Sequence, residues 1–540
     1  MYLKKVDIHG FKGISHLTLD LHQYSNVLIG ENRWGRSSLI SSLMLISFEN
    51  QDYQFVESDF YRGNDVCDHL YIDFIYAHSN EQDFSFESYQ KLSDVEYYVD
   101  SQKLICYRIE AYKQKDIIKT DRFFVDQYGD RIVVDNANEL AKLLIQLNPI
   151  MNLKNPIVAE NAPVTNQPLS DYYVKELSEK LSQYSEQFSD EDLARSLVAI
   201  QSLLDYYFVD KDRRYHYKHV EKKETASAQD WNSVEKINRQ LDEVDNQYIR
   251  TALLGMFSAI LIAKGNNTLL PMSIPILILE EPETNLHPIS LSVGFRLLNN
   301  IPVQKIITTN SSDLISLFPL ESIYRLIRRP DRILAMNVYQ KMNQEDARRI
   351  LFHIFYRRST ALFARCWLLV EGETEVWLLR ELAEQSGYHF GSEGIQVIEF
   401  AQCGLKPLIK YANQMGIVWH VLTDGDVAGR KYADSVRSLC NDLNNIDNYL
   451  TVLPAKDMEN FLFKNGFSHI YKLAAYNTTE HLDIPVPRII KKAIHRKSKP
   501  DLAIAVCDEA KDKGVEAIPR LFRRTFSRII HLTKRRYMFD

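Results

Sequence analysis

The stretch Asn26–Ser38, NVLIGENRWGRSS, decides how the first part of the chain folds. Its apolar half predicts a strand, and the pattern SLISSLMLI that follows predicts a helix. Between them, Gly30 and Gly35 bound a loop with the spacing GxxxxG[R]S. In such a loop, successive backbone N–H groups and the helix N-terminus surround phosphate oxygens. The loop predicts a nucleotide site, although a glycine turn that merely joins a strand to a helix would have the same local pattern.

The predicted nucleotide contacts lie along this loop and in the first turn of the helix. They are Gly30, Asn32, Gly35, Arg36, Ser37 and Ser38. The hydroxyl of Ser37 is expected to bind the Mg²⁺ that accompanies ATP. Arg36 stands where such loops usually have a lysine. Because its planar fork is bulkier than an ammonium group, the change predicts ATP binding and leaves ATP hydrolysis open.

A second apolar strand, IPILIL, ends in the adjacent acids Glu280 and Glu281. ATPases need one acid near Mg²⁺ and a second acid beside the attacking water. Glu280 is therefore the predicted metal-side acid, and Glu281 is the predicted base. The alternative is a buried strand that ends at a solvated acidic turn.

Acidic residues recur in three stretches of the C-terminal part, VEGETE, TDGD and DMEN. The first two stretches each follow a predicted strand. Side chains two residues apart at a strand end project to the same side, so the two acids of TDGD can converge on one Mg²⁺. Glu371 can share a site with Asp424 and Asp426 if their strands are neighbours in a parallel sheet. The third stretch supplies Asp457 and Glu459. A single acidic pair is more often a solvated turn or a helix cap, and only the ordered set is specific.

Composition and length set the class of protein. The chain has 540 residues, 45% of them hydrophobic and 25% charged, as in a soluble multidomain protein. A net charge of −6 argues against a wholly basic nucleic-acid coat protein. Two C-terminal runs, RIIKKAIHRKSKP and RLFRRTFSRIIHLTKRR, nevertheless have no acidic residue. They predict either solvated basic helices or a track for a phosphate backbone.

The six cysteines are scattered singly, so no zinc motif is predicted. No apolar run reaches the roughly 20 residues that a membrane span needs. The N-terminus MYLKKVDIHG lacks the apolar region of a signal peptide. These features predict a cytoplasmic protein with no membrane partner.

The predicted fold class is α/β, in four segments. Residues 1–135 form the N-terminal part of an ATPase head, with two strands joined by the turn FKG and a β-rich lobe. Residues 136–246 form a helical insertion, and residues 247–350 return to the head. Residues 361–540 form a second α/β unit with a parallel sheet and basic C-terminal helices.

The phosphate loop, the acidic strand end and the continuation TNLHP resemble the ATPase heads of RecF, SMC and Rad50 proteins. In that resemblance, Asn285 and His287 face the partner head of an ATP-bound dimer. Asn310, in KIITTNS, stands in the switch strand where a histidine is usual. An LSGGQ-like signature is missing, and NQYIRTALLGM is its nearest equivalent by position. These departures predict inefficient ATP hydrolysis.

The order VEGETE, TDGD, DMEN resembles a TOPRIM domain, the metal-dependent fold of topoisomerases, primases and some nucleases. That resemblance implies as metal ligands Glu371, Glu375, Asp424, Asp426 and Glu459, with Asp457 as a weaker candidate. A RecF-like head followed by TOPRIM resembles the OLD (overcoming lysogenisation defect) family of ATP-dependent endonucleases, in particular its YbjD-like members. The resemblance runs along the whole chain and includes LFARCWLLVEGETE and AIHRKSKPDLAI. It implies two Mg²⁺ or Mn²⁺ ions, DNA as substrate, and a homodimer formed through the helical insertion. It also implies a charge-stabilising lysine, for which Lys499 is the candidate.

The predicted function is therefore an ATP-linked, metal-dependent DNA endonuclease, with phage defence and DNA repair both compatible with the resemblance. The alternative is a nucleotide-gated DNA-binding or sensor protein that has weak ATP hydrolysis and a non-catalytic TOPRIM site. A topoisomerase would need a strand-passage domain, for which the length leaves little room. A primase is disfavoured by the missing zinc cysteines.

Overall fold

The computed structural model describes residues 1–32, 34–63, 67–78, 87–114, 117–152, 273–284, 288–338, 342–440, 443–480 and 483–537, together with residues 195, 232 and 235. The chain divides into two compact units, Met1–Ala335 and Met336–Asp540. Each unit combines helices with a sheet, so the α/β prediction is confirmed.

The first unit is built on one mixed sheet. Its strands are β1 (Tyr2–Phe11), β2 (Ile14–Asp20), β3 (Ser25–Ile29), β4 (His69–Ala77), β5 (Glu96–Val99), β6 (Gln102–Gln114), β7 (Ile117–Val125), β8 (Ile150–Asn152), β9 (Ile276–Glu280), β10 (Gln304–Thr308), β11 (Ile323–Arg328) and β12 (Ile333–Met336). Their order is β5-β6-β4-β1-β2-β12-β11-β3-β10-β9-β8, and β7 pairs with β6. The strands β1, β2, β4, β5, β6 and β7 pair antiparallel, which confirms the predicted β-rich lobe.

The other side of this sheet is parallel, because β11, β3, β10, β9 and β8 all run in one direction. Among its described residues, the helices are α1 (Arg36–Leu43), α2 (Glu87–Gln90), α3 (Ala137–Leu147), α4 (Pro288–Asn300) and α5 (Ser312–Ile315). The sequence of α3 shows why it packs here, since Leu140, Leu144 and Leu147 are buried at helical spacing. The carboxyl ends of β3, β9 and β10 meet at one edge, where the phosphate loop begins.

Gly35 is required at the start of α1 for two reasons. Its φ is 89°, in the left-handed region that favours glycine. A Cβ atom there would also lie 2.5 Å from Cδ1 of Ile333. Glycine therefore lets the chain turn from β3 into the helix close to the neighbouring strand.

The second unit contains a four-stranded parallel sheet. Its strands are β13 (Cys366–Val370), β14 (Ile395–Glu399), β15 (Val418–Thr423) and β16 (Leu450–Val452), in the order β14-β13-β15-β16. All five residues of β13 and all six of β15 are buried, which explains their continuous apolar sequence. The parallel sheet predicted for this part of the chain is confirmed.

Helices surround this second sheet. They are α6 (Gln344–Ile350), α7 (Glu373–Gln385), α8 (Leu405–Gln414), α9 (Val427–Leu439), α10 (Met458–Leu462), α11 (Ser468–Tyr476), α12 (Val486–Arg496), α13 (Lys499–Lys513) and α14 (Arg520–Tyr537). A π-helical segment, Leu351–Tyr356, continues α6. The two basic runs form α12 and α14, and α12 turns Arg488, Lys491 and His495 to solvent while Ile489 and Ile490 are buried.

Two features differ from the predicted segments. β8 lies inside the segment predicted as a helical insertion, yet it pairs with β9, so the head sheet extends further along the chain. α6 was predicted within the head, but it packs against α8 and belongs to the second unit.

Most of the predicted insertion and the segment NQYIRTALLGM lie outside the described residues. In the described part of the chain, no helix is both long and apolar enough to cross a membrane.

Candidate functional site

A cavity of about 240 Å³ opens at the end of the parallel strands in the first unit. The residues that line it are Asn32, Arg36, Ser37, Ile40, Glu280, Glu281 and Thr308. Five of these seven were predicted from the phosphate loop or the acidic strand end. The structure thus brings the two predicted halves of the nucleotide site to one cavity.

Arg36 lies deep in this cavity, with only 5% of its surface exposed. Its Nη1 donates to the carbonyl oxygen of Thr309 at 3.2 Å, and its Nη2 donates to Oδ1 of Asn32 at 2.6 Å. Oε1 of Glu281 lies 3.6 Å from Nη2. Burial lowers the pKa of Arg36 below its usual value, and the charges of Glu281 and Glu283 partly offset this effect. The guanidinium therefore connects the phosphate loop to the predicted base.

Asn310, two residues after the end of β10, joins the same network. Its Nδ2 donates to Oε1 of Glu281 at 3.1 Å, and its backbone N–H donates to Oε1 of Glu283 at 2.8 Å. Glu281 has a φ of 44°, which is unusual for a residue other than glycine. Such backbone strain is found where the surroundings hold a residue in one functional position.

The remaining predicted contacts occupy different places around the loop. Oε1 of Glu280 accepts a hydrogen bond from Nδ2 of Asn152 at 2.7 Å. Ser37 reaches the cavity, whereas Oγ of Ser38 accepts from the backbone N–H of Gly13, in the FKG turn, at 3.2 Å. Asn285 and His287 lie outside the described residues.

The predicted acids of the second unit meet at the carboxyl edge of its sheet. Oε1 of Glu371, after β13, accepts from the backbone N–H of Asp424, after β15, at 3.0 Å. Oε2 of Glu375, in the first turn of α7, accepts from the N–H of Glu371 at 3.0 Å. Because β13 and β15 are neighbours in a parallel sheet, acids separated by some fifty residues in the sequence come together.

Gly425 brings the third acidic stretch to the same edge. Its N–H donates to the carbonyl oxygen of Ala455 at 3.0 Å, and a Cβ atom there would lie 2.4 Å from that oxygen. Only glycine permits this approach between the TDGD turn and the loop before α10. Glu459 follows in the first turn of α10, and Asp457 caps that helix by accepting from the N–H of Asn460 at 2.7 Å.

The acids perturb one another. Burial raises the pKa of Asp424 to about 8, and the charges of Glu375, Glu371, Asp457 and Glu459 add to the rise. Burial also raises the pKa of Glu375 to about 7, although hydrogen bonds from the backbone lower it in part. For Glu371, burial and the charge of Asp426 raise the pKa. Such mutual repulsion shows that these side chains share one electrostatic environment.

Lys499, the first residue of α13, lies at this cluster. Its Nζ is 2.7 Å from Oε1 of Glu459. Burial disfavours its charged form, but the hydrogen bond to Glu459 and the charges of Glu459, Asp457 and Glu375 raise its pKa overall. The position predicted from the sequence thus places an ammonium group among the acids.

Asp426 has a different immediate role from the one predicted. Its Oδ1 accepts from the N–H of Gly429 at 2.8 Å, so it caps α9. Among the described residues, no three His, Cys, Asp or Glu side chains lie close enough to hold one metal ion as they stand. The donor set still fits a divalent cation, because carboxylates are hard oxygen ligands and these acids raise one another's pKa although the ammonium of Lys499 lies beside Glu459.

Several contacts at the two sites were not predicted from the sequence. Thr309 offers only its backbone carbonyl to Arg36, and Asn152 comes from a distant three-residue strand. Arg358 forms an ion pair with the buried Glu399 and lies 3.9 Å from Glu373. None of these contacts has a local sequence signal.

The matches to known families define the class of protein. Residues 1–361 match a family described as protein of unknown function, DUF2813. Residues 362–426 match the TOPRIM domain of proteins like the overcoming lysogenization defect protein. The second match includes Glu371, Glu375, Asp424 and Asp426 and ends before Glu459. The chain therefore joins a DUF2813 region to an OLD-like TOPRIM domain.

A full-length relative specifies the family. The uncharacterized protein YbjD of Escherichia coli (strain K12) is 42% identical over 552 residues, which cover 99% of this chain and 100% of YbjD. The chain belongs to the DUF2813 family, it is related to YbjD over its whole length, and it is an OLD-like, YbjD-like protein. The resemblance seen in the sequence is confirmed.

Two solved structures show more distant likeness. The C-terminal region of the Burkholderia pseudomallei OLD protein is 21% identical, covers 32% of this chain and 99% of its own, and has a TM-score of 0.27. The Smc head domain with an extended coiled coil, bound to the C-terminal domain of ScpA, from Pyrococcus furiosus is 16% identical. It covers 65% of this chain and 99% of its own, with a TM-score of 0.34.

Proposed function

We propose that this protein is an ATP-linked, divalent-metal-dependent DNA endonuclease. It hydrolyses phosphodiester bonds at the acidic edge of the TOPRIM sheet, and its head binds nucleotide as part of a homodimer. The observation that supports this proposal is the convergence of three acidic stretches and Lys499 on one sheet edge. A buried cluster of carboxylates that repel one another costs stability, so a role in binding cations explains it better than a structural role.

The carboxylates would hold two Mg²⁺ or Mn²⁺ ions. Glu371, Asp424 and Asp426 would bind one ion, and Glu375 and Glu459 would bind the other. Two such ions supply a polarised water and stabilise the leaving 3′ oxygen of a phosphodiester. Asp426 would exchange its contact with the N–H of Gly429 for this role.

Lys499 would stabilise negative charge on the scissile phosphate. Its ammonium lies among the acids, so a phosphate bound there would be within its reach. The start of α13 fixes this position, because Ser498 caps the helix and forms a capping box with Asp501. The rigid cap holds the base of the lysine side chain while its four methylene groups let the ammonium move.

The head would bind ATP with Mg²⁺ in the cavity that contains Arg36. Glu280 would hold the Mg²⁺, with Ser37, and Glu281 would act as the base. In the structure Nη2 of Arg36 lies 3.6 Å from Oε1 of Glu281, so the guanidinium occupies the space beside the proposed base. This contact favours slow hydrolysis, and it is also the observation that supports the second candidate function, a nucleotide-gated DNA-binding or sensor protein.

The test is cleavage of supercoiled plasmid by the full-length protein with Mg²⁺ or Mn²⁺, with and without ATP. The matched variants are Asp424→Ala and Asp434→Ala, since Asp434 is an exposed acid on α9 outside the cluster. Nicking by the wild type and by Asp434→Ala, but not by Asp424→Ala, would support the nuclease. Equal DNA binding without cutting in all lanes would favour the gated binding protein.

A further inference from the structure

Three large aromatic side chains are exposed in the second unit, among the side chains that the structure describes there. Phe352 is 54% exposed and Tyr356 is 66% exposed, both in the π-helical segment, and Trp377 on α7 is 42% exposed. A single exposed aromatic residue is ordinary, but exposed aromatic residues that lie close together often mark an interaction site. π-Helical turns inside helices also occur frequently at functional sites.

Arg358 connects these aromatic residues to the acidic edge. It pairs with Glu399, the last residue of β14, which lies opposite Val370 in the sheet register. It also approaches Glu373, which precedes Trp377 by one helical turn on α7. Tyr356 is two residues before Arg358, so their Cα atoms are at most about 7.6 Å apart. Both aromatic segments therefore border the edge where Glu371 follows β13.

Cationic groups accompany the rings. The guanidinium carbon of Arg357 lies 5.7 Å from the centre of the Phe352 ring, and its Nη1 donates to Oε1 of Gln402 at 2.9 Å. Arg348 and Arg349 are exposed on α6, immediately before the π-helical segment. Aromatic faces interspersed with arginines bind unpaired bases and their phosphates, because every base offers a face for stacking. In a duplex these faces are already stacked and are not available.

We infer that Phe352, Tyr356, Trp377 and Arg357, here called the aromatic rim, bind unpaired bases of the DNA substrate beside the acidic edge. The inference rests on the proposed function for the identity of its ligand. It adds that the preferred substrate contains a single-stranded stretch, such as a flap, a gap or a splayed end. The charge of the rim complements phosphate, and its rings would hold the bases next to the site of cleavage.

The test compares binding of a fluorescent oligothymidine with binding of a blunt duplex of equal length. Anisotropy is measured on the full-length protein in EDTA, so that no cleavage occurs, over a series of salt concentrations. The variants are Tyr356→Ala and Trp377→Ala, with Tyr356→Phe and Trp377→Phe as conservative partners. Leu473→Ala removes a comparably exposed aliphatic side chain from α11 of the same unit and serves as control.

Each alanine variant should weaken oligothymidine binding on the order of tenfold and leave duplex binding nearly unchanged. The phenylalanine variants and Leu473→Ala should bind like the wild type. The tenfold loss should persist at all salt concentrations, whereas Arg357→Gln should mainly reduce the salt dependence. Equal weakening of oligothymidine and duplex binding, or no weakening at all, would overturn the inference.

Light scattering on the same variants shows whether the aromatic rim binds another protein chain instead of DNA. A change of oligomeric mass with unchanged DNA binding would make the rim a protein interface and overturn the inference. The experiments also distinguish a result that refutes the aromatic rim from one that refutes the proposed nuclease activity. A plasmid that is cut while the alanine variants bind oligothymidine normally refutes only the rim. An uncut plasmid with rim-dependent oligothymidine binding refutes only the nuclease.

Discussion

The candidate nucleotide site of the first unit and the acidic edge of the second unit differ in how their buried charges are balanced. In the first, Arg36 is a cation built into the fold, satisfied by a carbonyl, an amide oxygen and a nearby carboxylate. In the second, acids accumulate until burial and mutual repulsion raise the pKa of Asp424 to about 8. Lys499 meets Glu459 there, but it leaves the other acids repelling one another.

The difference indicates what each site needs from outside. A site whose cation is already paired must rearrange before a phosphate can use that cation. A site with an excess of buried carboxylates gains stability when a cation enters. Ligand binding should therefore stabilise the acidic edge strongly, whereas the head should respond mainly through the position of Arg36.

The largest expected effect follows substitution of Asp424 by asparagine. Cleavage should fall by at least about a hundredfold, because even partners of metal ligands contribute that much. In EDTA the variant should melt about 2 °C or more above the wild type, since one of the mutually repelling acids is gone. Added Mg²⁺ should raise the melting temperature of the wild type more than that of the variant. Calorimetry and plasmid cleavage measure these effects.

Asp434→Asn is the control for that comparison. It removes an exposed acid on α9 that pairs with Arg437, so both cleavage and the response to Mg²⁺ should stay at wild-type values. A wild type that melts higher than Asp424→Asn in EDTA would show that the acidic edge is not short of positive charge.

His420 tests whether a group inside the sheet makes the second unit less stable as the pH falls. The acids at the edge have the opposite effect, because their raised pKa values favour the folded state in acid. Its Nδ1 lies 2.8 Å from the carbonyl oxygen of Asn448, its Nε2 lies 2.9 Å from Oγ1 of Thr451, and burial lowers its pKa to about 4. Between pH 6.5 and 4, His420 therefore binds a proton in the unfolded chain but not in the folded chain. Stability present above pH 6.5 is lost as the pH falls, by roughly 2 kcal/mol at pH 5.

Urea unfolding at pH 7 and pH 5 checks this prediction, with a probe in the second unit. His420→Gln removes the titrating ring, so its free energy of unfolding should change less between the two pH values than that of the wild type. The same loss in both proteins would assign the acid sensitivity to other groups.

Local patterns predicted the parts of the fold that are determined locally. The strand β3, the phosphate loop and α1 are adjacent in sequence, so periodicity and two glycines suffice to define them. The acids of the second unit could be grouped for a similar reason, because parallel strands end at one edge. Contacts between distant segments could not be predicted. Asn152 reaches Glu280 only because β8 pairs with β9, and β8 has three residues and no distinctive sequence.

The sequence also could not predict which of two possible roles a single side chain has in the folded protein. Asp426 could face a metal or cap α9, and both positions satisfy the same local pattern. Arg36 could reach outward to phosphate or inward to Thr309, and only the packed structure shows the inward choice. Exposure of Phe352 and Tyr356 depends on which side of the π-helical segment faces the core.

Arg36→Lys gives the smallest expected effect and the sharpest test of the head. A lysine ammonium has three donors on a flexible stem and cannot reproduce the fork that contacts Thr309, Asn32 and Glu281 together. Glu281 should then be released from the fork and free to approach the attacking water, and ATP turnover should rise by about tenfold, less than the full contribution of a general base. Adding Glu281→Gln to this variant should abolish the gain, because both changes act on one contact. Unchanged turnover with unaltered nucleotide affinity would mean that Arg36 does not restrain the base. In that case the head would be inactive for a reason that lies outside this contact.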